Sequence, residues 1–239
     1  MKSKLYFAAV PVLALAGWAM AQSPADSLVE GFRNVEVASV SDAMEQLYGQ
    51  KAYMTHDMRP LFKTKFAGPA VTVYLKKEET KEGGPASQAM LDLIDAAPPG
   101  SVYVMALEDG LDYAGMGGLM GTAMKVRGLA GAVIDGSVRD LPQLGKIQFP
   151  VYSRGVAPST LVGHYRVAGV NVPITCAGVR VNMGDIVTAD EDGVVVVPKA
   201  QAADVLKKAQ DLDNTEHSTI PFIEKLKSIK EAVARFGRI

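Results

Sequence analysis

The sequence predicts an α/β fold: a single compact layered domain with one βαβ unit and a hairpin-rich β half. Three observations carry that prediction. Two short apolar runs, Val102–Leu107 and Ala130–Ile134, flank a segment of helix length. Downstream lies a series of short strand-like runs separated by turn signals. No repeat or low-complexity linker divides residues 22–239.

The elements follow in order. Ser27 to Tyr48 places Leu28, Phe32, Val35, Val40, Ala43, Met44 and Leu47 at helical spacing, and Ser41-Asp42 is expected to cap the second of two helices. Residues 67–75 read as a strand after a turn, and Gln88 to Ala97 as a helix stopped by Pro98-Pro99-Gly100. Val102–Leu107 has the composition of a buried strand, and Glu108 to Met116 that of a polar loop. Gly117-Gly118 opens a helix over Leu119–Arg127, closed by Gly128. A second buried strand, Ala130–Ile134, ends at Asp135-Gly136, which makes the two strands a parallel pair. Short strands are expected around 151–152, 167–172, 178–181, 186–189 and 193–197, with turns at Asn182–Gly184 and Asp190–Gly193. Amphipathic helices over Lys199–Leu212 and Ile223–Phe236 finish the chain.

Composition narrows the function. The chain has 239 residues, 48% hydrophobic and 21% charged, with 23 Gly and 13 Pro, which excludes collagen-like, coiled-coil and disordered classes. A single cysteine, Cys176, excludes a disulfide framework and a cysteine-cluster metal site; in its apolar context it reads as a small buried hydrophobe. His56, His164 and His217 are widely separated and show no partner at useful spacing. A formal charge of −1 offers no electrostatic case for nucleic acid.

Residues 1–21 read as a signal peptide: Lys2 and Lys4, an apolar run from Leu5, and Ala19-Met20-Ala21 as a small-x-small cleavage site. The run is shorter than the ~20 residues that span a bilayer, so no membrane insertion is expected after cleavage. The expected setting is exported, periplasmic or secreted. Loss of Lys2 and Lys4, with no acid in that segment, takes the formal charge from −1 to −3.

The βαβ unit has a geometric consequence. A helix of about ten residues climbs roughly 15 Å and a five-residue strand returns roughly 17 Å. The loop Gly136–Asp140 therefore comes back beside Gly117-Gly118, at the carboxyl edge where open α/β sheets bind ligands. Backbone N–H groups of Gly118, Leu119 and Met120 would form an anion site at the helix start. Arg139 offers a planar fork for a carboxylate, and Asp140 a hard oxygen ligand for a divalent cation. Adjacent strand residues face opposite sides, so Arg139 and Asp140 share a site only if the chain has left the sheet after Gly136. Spacing alone leaves a tight turn and a solvated Arg-Asp pair equally open.

The stretch Gly117 to Asp140, Gly-Gly-Leu-Met-Gly-Thr-Ala-Met-Lys-Val-Arg-Gly-Leu-Ala-Gly-Ala-Val-Ile-Asp-Gly-Ser-Val-Arg-Asp, resembles the RraA-like family. The resemblance extends through Val40–Ala43, Arg59–Leu61, Gly68–Val73, Pro150–Gly155 and Gly184–Pro198. That family includes metal-dependent class II 4-hydroxy-4-methyl-2-oxoglutarate aldolases and regulators of ribonuclease E. The resemblance implies a swivelling β/β/α-type domain assembled as a homotrimer or homohexamer. It implies that Gly117, Gly118, Leu119 and Met120 bind the pyruvate end of a small 2-oxo acid. It also implies that Arg139 contacts the carboxylate and keto oxygens, and that Asp140 binds Mg²⁺ or Mn²⁺, making Arg139 and Asp140 the catalytic pair. The implied chemistry is cleavage of a carbon–carbon bond, or oxaloacetate decarboxylation, through a pyruvate enolate.

Two positions depart from the family pattern. The acid expected 21 residues before Arg139 is Gly118, and the acid expected three residues after Asp140 is Gln143. Glu108, Asp109, Asp112 and Glu216 are the acids that could substitute. The alternative reading is a non-catalytic binding or regulatory member of the family in an exported compartment.

Overall fold

The computed structural model describes residues 24–79 and 85–236; the leader expected at residues 1–21 lies outside them. In chain order the first elements are α1 (Pro24–Asn34), α2 (Val37–Tyr48), β1 (Arg59–Pro60), β2 (Phe66–Lys77), α3 (Pro85–Ala96) and β3 (Val102–Leu107). Then come β4 (Ala114–Met116), α4 (Gly118–Val126), β5 (Gly131–Val138), α5 (Leu141–Ile147) and β6 (Val151–Val156). The rest are β7 (Tyr165–Val170), β8 (Ile174–Cys176), β9 (Val179–Val181), β10 (Ile186–Asp190), β11 (Gly193–Val197), α6 (Ala202–Leu226) and α7 (Ile229–Phe236).

The main sheet runs β1-β6-β5-β3-β2-β10-β11, with β4 added to β5 and β7 to β2. β2, β3, β5 and β6 are parallel, as the βαβ reading requires, and Tyr103 sits opposite Ala132. β10–β11 is the expected hairpin, closed at Asp190–Gly193, and β8–β9 forms a separate two-stranded ribbon. β3 is apolar and buried along its whole length because both of its faces are covered. Tyr103, Met105 and Leu107 pack with Ile134 and with Met90, Ile94, Met124 and Leu144 from the helical layer. Val102, Val104 and Ala106 pack on the opposite side with Ile174, Cys176, Val187 and Val196. A third cluster joins Phe32, Val40 and Met44 to Val197, Val205 and Ala209, seating α1, α2 and α6 against β11.

Several expectations are corrected. The second helix begins at Val37, and Ser41-Asp42 lies inside it. Its start is capped from elsewhere: Asp190 Oδ2 accepts the Val37 N–H at 3.0 Å, and Asp213 Oδ1 accepts that of Glu36 at 3.2 Å. Caps supplied by distant strands and helices leave no local signature. The strand expected to stop at Asp135-Gly136 continues to Val138, paired on one side by β4 and on the other by β6. The expected polar loop contains β4, and α5 was not anticipated.

The two terminal helices are also redrawn. A 3-10 turn at Lys199–Gln201 precedes α6, which runs through Pro221 to Leu226. The polar segment after Leu212 stays helical because it packs on α2, through the Asp213–Glu36 bond and buried Thr219.

Replacing Asp190 with Ala should remove the remote cap and leave the buried Val37 amide without an acceptor. Urea denaturation should show a loss of about 1–2 kcal/mol, whereas Asp42→Ala, inside the helix, should cost less.

Candidate functional site

The site grows from the end of β5 and the start of α4. β4 leads directly into Gly117, and Arg139 donates its backbone N–H to the Met116 carbonyl at 3.0 Å, clamping the two chain segments together. Asp140 then adopts a left-handed conformation, φ 59° and ψ 39°, at the N-cap of α5. This residue, rather than an early exit from the sheet, turns the Asp140 side chain back toward Arg139. Asp is among the residues that tolerate such a backbone.

The Asp140 carboxylate meets the start of α4. Its Oδ2 accepts the Gly118 N–H at 2.9 Å and lies 3.8 Å from Arg139 Nε. Negative charge at a helix N-terminus is favourable, and the amide supplies a charge-assisted bond. Gly117 is needed here for space: a Cβ would lie 2.6 Å from Asp140 Oδ2 and 3.1 Å from Arg139 Cγ. One expectation changes as a result. The Gly118 amide is already engaged by Asp140, so the expected anion site narrows to the amides of Leu119 and Met120.

Five of the six sequence-predicted positions, Gly117, Leu119, Met120, Arg139 and Asp140, line one cleft of about 240 Å³. The sixth, Gly118, lines an adjoining depression with Leu119, Thr122, Asp140, Pro142 and Gln143. Arg139 and Asp140 remain 41% and 49% exposed, so both charges reach solvent. The other walls come from Met90 and Leu91 on α3 and from Thr160, Leu161 and Val162 ahead of β7. Sequence reasoning missed these wall residues, which carry no motif and arrive from distant parts of the chain.

The two departures from the family pattern are neighbours in space. A Cβ on Gly118 would stand 2.9 Å from Gln143 Cγ and 3.1 Å from its Cβ. The stem of Gln143 thus occupies the volume that a side chain at position 118 would need.

The substitute acids lie elsewhere. Glu108 Oε2 accepts the Lys77 N–H at 3.1 Å, and neither it nor Asp109 nor Asp112 lines the two clefts. Glu216 lines a separate groove with Ile220, Ile223 and Val233. Cys176 is fully buried, and burial holds its thiol well above the usual range, as a packing role requires. His164 has a partner the sequence did not reveal: its Nδ1 is 2.8 Å from Glu79 Oε2, and its ring stacks on Tyr113 at 4.0 Å. Among the described residues no group of three His, Cys, Asp or Glu side chains is placed to hold a metal.

The RraA-like family model, described as Aldolase/RraA, matches residues 37–196. A relative from Halalkalibacterium halodurans, named "Putative 4-hydroxy-4-methyl-2-oxoglutarate aldolase", is 32% identical over 194 residues, covering 80% of this chain and 85% of its own length. Among solved structures, an uncharacterized protein from Pseudomonas syringae pv. tomato is 27% identical with a TM-score of 0.77, over 86% of this chain and 96% of that one. RraAS2 of Streptomyces coelicolor, described as an unusual member of the RNase ES inhibitor RraA protein family, is 25% identical with a TM-score of 0.73, over 83% and 98%. With the family model matched across residues 37–196 and the fold shared with these structures, the chain belongs to the RraA-like family.

Proposed function

We propose that the chain is a divalent-metal-assisted lyase that cleaves a carbon–carbon bond of a small 2-oxo acid, as a 4-hydroxy-4-methyl-2-oxoglutarate-type aldolase or an oxaloacetate decarboxylase. One observation carries the reading: Arg139, Asp140 and the amides opening α4 converge on a single cleft. The names of relatives at about 30% identity support the same chemistry.

The donor set suits a hydrated Mg²⁺ or Mn²⁺ ion. Asp140 is the only carboxylate among the described residues lining the two clefts, with one oxygen fixed by Gly118 and the side chain half exposed beside open volume. A cation that keeps several waters needs no more than one or two such ligands. When bound, the ion would supply Lewis-acid stabilisation of charge on the keto oxygen.

The chain's own groups do the rest. The Arg139 fork binds the substrate carboxylate and keto oxygen, and the Leu119 and Met120 amides add fixed dipoles. As the C3–C4 bond of a 4-hydroxy-2-oxo acid breaks, its electron pair passes into a pyruvate enolate held by those donors. The 4-hydroxyl proton leaves to water in the open cleft, and protonation at C3 releases pyruvate. For oxaloacetate, loss of CO₂ yields the same enolate. We place the protein in an exported compartment, on the leader read at residues 1–21, and assembled as a homotrimer or homohexamer.

A second reading, a non-catalytic binding module, draws on Gln143 occupying the side-chain space over Gly118. Outer partners of metal sites typically contribute 10–100-fold in affinity or activity, so their replacement weakens the metal site.

Purified protein should release pyruvate from oxaloacetate or 4-hydroxy-4-methyl-2-oxoglutarate in a coupled assay with Mg²⁺ or Mn²⁺, and EDTA should stop it. Arg139→Lys keeps the charge and loses the fork, and turnover should fall on the order of 10²-fold. An inactive wild type whose small-molecule binding is unaltered by Asp140→Ala would discard the lyase reading.

Restoring the missing acid requires room for it. Gly118→Asp alone should fit poorly against Gln143, whereas Gly118→Asp combined with Gln143→Ala should bind Mn²⁺ roughly 10–100-fold more tightly by calorimetry. No gain in the double variant would favour the non-catalytic reading.

A further inference from the structure

β5 does not pair evenly with β6. Ile134 lies opposite Ser153 and Ser137 opposite Gly155, so three steps along β5 match two along β6, and one residue is extra at Asp135-Gly136. Bulges between parallel strands are rare, and a bulge bends its strand, raises the twist and re-aims the side chains that follow. Here those residues are Val138, Arg139 and Asp140. The pairing on the other edge of β5 changes at the same place: its ladder with β3 ends at Ala106–Asp135, and β4 takes over at Ala114–Ser137.

The bulge is held at two points. Ser137 donates its N–H to the Gly110 carbonyl at 2.8 Å and its hydroxyl to the Leu111 carbonyl at 2.6 Å, which ties it to the segment leading through β4 into Gly117. The chains meet backbone on backbone there, for a Cβ on Gly136 would lie 2.7 Å from the Gly110 oxygen. The second hold is the Asp135 carboxylate, 15% exposed. One of its oxygens accepts from Arg154 Nη1 at 3.0 Å and the other from the Ala177 N–H at 2.6 Å. Arg154 belongs to β6, the strand past which β5 slips by one residue, and its Nε donates to Asp57 at 2.7 Å. Ala177 has a left-handed φ of 45°, which a non-glycine residue keeps only where its surroundings impose it. A carboxylate mostly removed from water is costly unless it is paired, and both oxygens of Asp135 are.

We infer that Asp135 and Arg154 are positioning residues: their ion pair locks the bulge at Asp135-Gly136, and the bulge sets where Arg139 and Asp140 emerge beside Gly117 and Gly118. Both halves of the site are referred to this one irregularity, Gly117 through Leu111 and β4, Arg139 and Asp140 through Val138. Neither Asp135 nor Arg154 lines the two clefts, so they act through the backbone and touch no substrate. The inference rests on the lyase reading only for its effect on turnover. Its effect on the Gly118–Asp140 hydrogen bond is independent of what the site catalyses.

The test is Asp135→Asn, which keeps the size of the side chain but sets an amide NH₂ against either Arg154 or the Ala177 N–H. Hydrogen exchange followed by NMR on the purified protein should show the Gly118 N–H exchanging roughly ten-fold faster, as its bond to Asp140 loosens. The amides of β3 should keep wild-type protection, and kcat for pyruvate release should fall on the order of 10²-fold, the cost of a displacement near 1 Å. Gly118 exchange at the wild-type rate overturns the inference. So does equal acceleration of Gly118 and β3, because the pair then supplies only global stability, and so does undiminished turnover beside accelerated Gly118 exchange. An inactive wild type would remove the lyase reading alone, and the Gly118 measurement would still decide the positioning role. Should Asp135→Asn fail to fold, Arg154→Lys decides in the same way, since it keeps the charge and loses the fork that spans Asp57 and Asp135.

Discussion

A single hydrogen bond organises this molecule's candidate site: the N–H of Gly118 donating to Asp140 at 2.9 Å. It joins the first turn of α4 to the residue after β5, two points that the βαβ connection brings to one edge. Its geometry makes two demands. Position 117 must lack a Cβ, because one would lie 2.6 Å from the accepting oxygen, and Asp140 must turn back through φ 59°. It also spends one helix-start amide on the protein itself, so the anion-binding capacity left for a ligand is smaller than a free helix terminus would offer.

The scaffold beneath that bond is stiff. Both faces of β3, the neighbour of β5, are buried, with the helical layer on one side and the β8–β9 ribbon on the other. On the ribbon side Arg154 is clasped between Asp57 at 2.7 Å and Asp135 at 3.0 Å, and the second oxygen of Asp135 takes the Ala177 N–H at 2.6 Å. These contacts tie β6, β5 and the ribbon together a few residues before Arg139, which follows the end of β5. Sites hold their geometry when the elements beneath them are fixed in this way.

The family's pattern and this chain's departures from it become one physical statement at Gly118 and Gln143. Read along the sequence they are two separate losses of an acid. In space the two positions touch: the stem of Gln143 lies where a side chain on Gly118 would stand. Among the described residues lining the cleft, Arg139 is the one cation and Asp140 the one anion.

Periodicity and turn chemistry made much of the fold legible. Val102–Leu107 and Gly193–Val197 carry β-forming apolar runs, and Asp190–Gly193 carries a turn signature, so their placement needed no tertiary knowledge. The start of α2 was not legible, because its amides are bonded by Asp190 and Asp213 from remote elements. α6 was misread as ending early because its polar second half and Pro221 look like a linker until α2 is packed beside it. By itself the sequence determined the parallel βαβ unit, the glycine pair and the proximity of Arg139 and Asp140 to it, since those follow from local pattern and the fixed rise of helix and strand. Only the tertiary structure decided which amide Asp140 occupies, that Gln143 covers Gly118, and that α3 and the segment before β7 supply walls of the cleft. Those contacts join residues far apart in the chain, and neither propensity nor spacing encodes which of them meet.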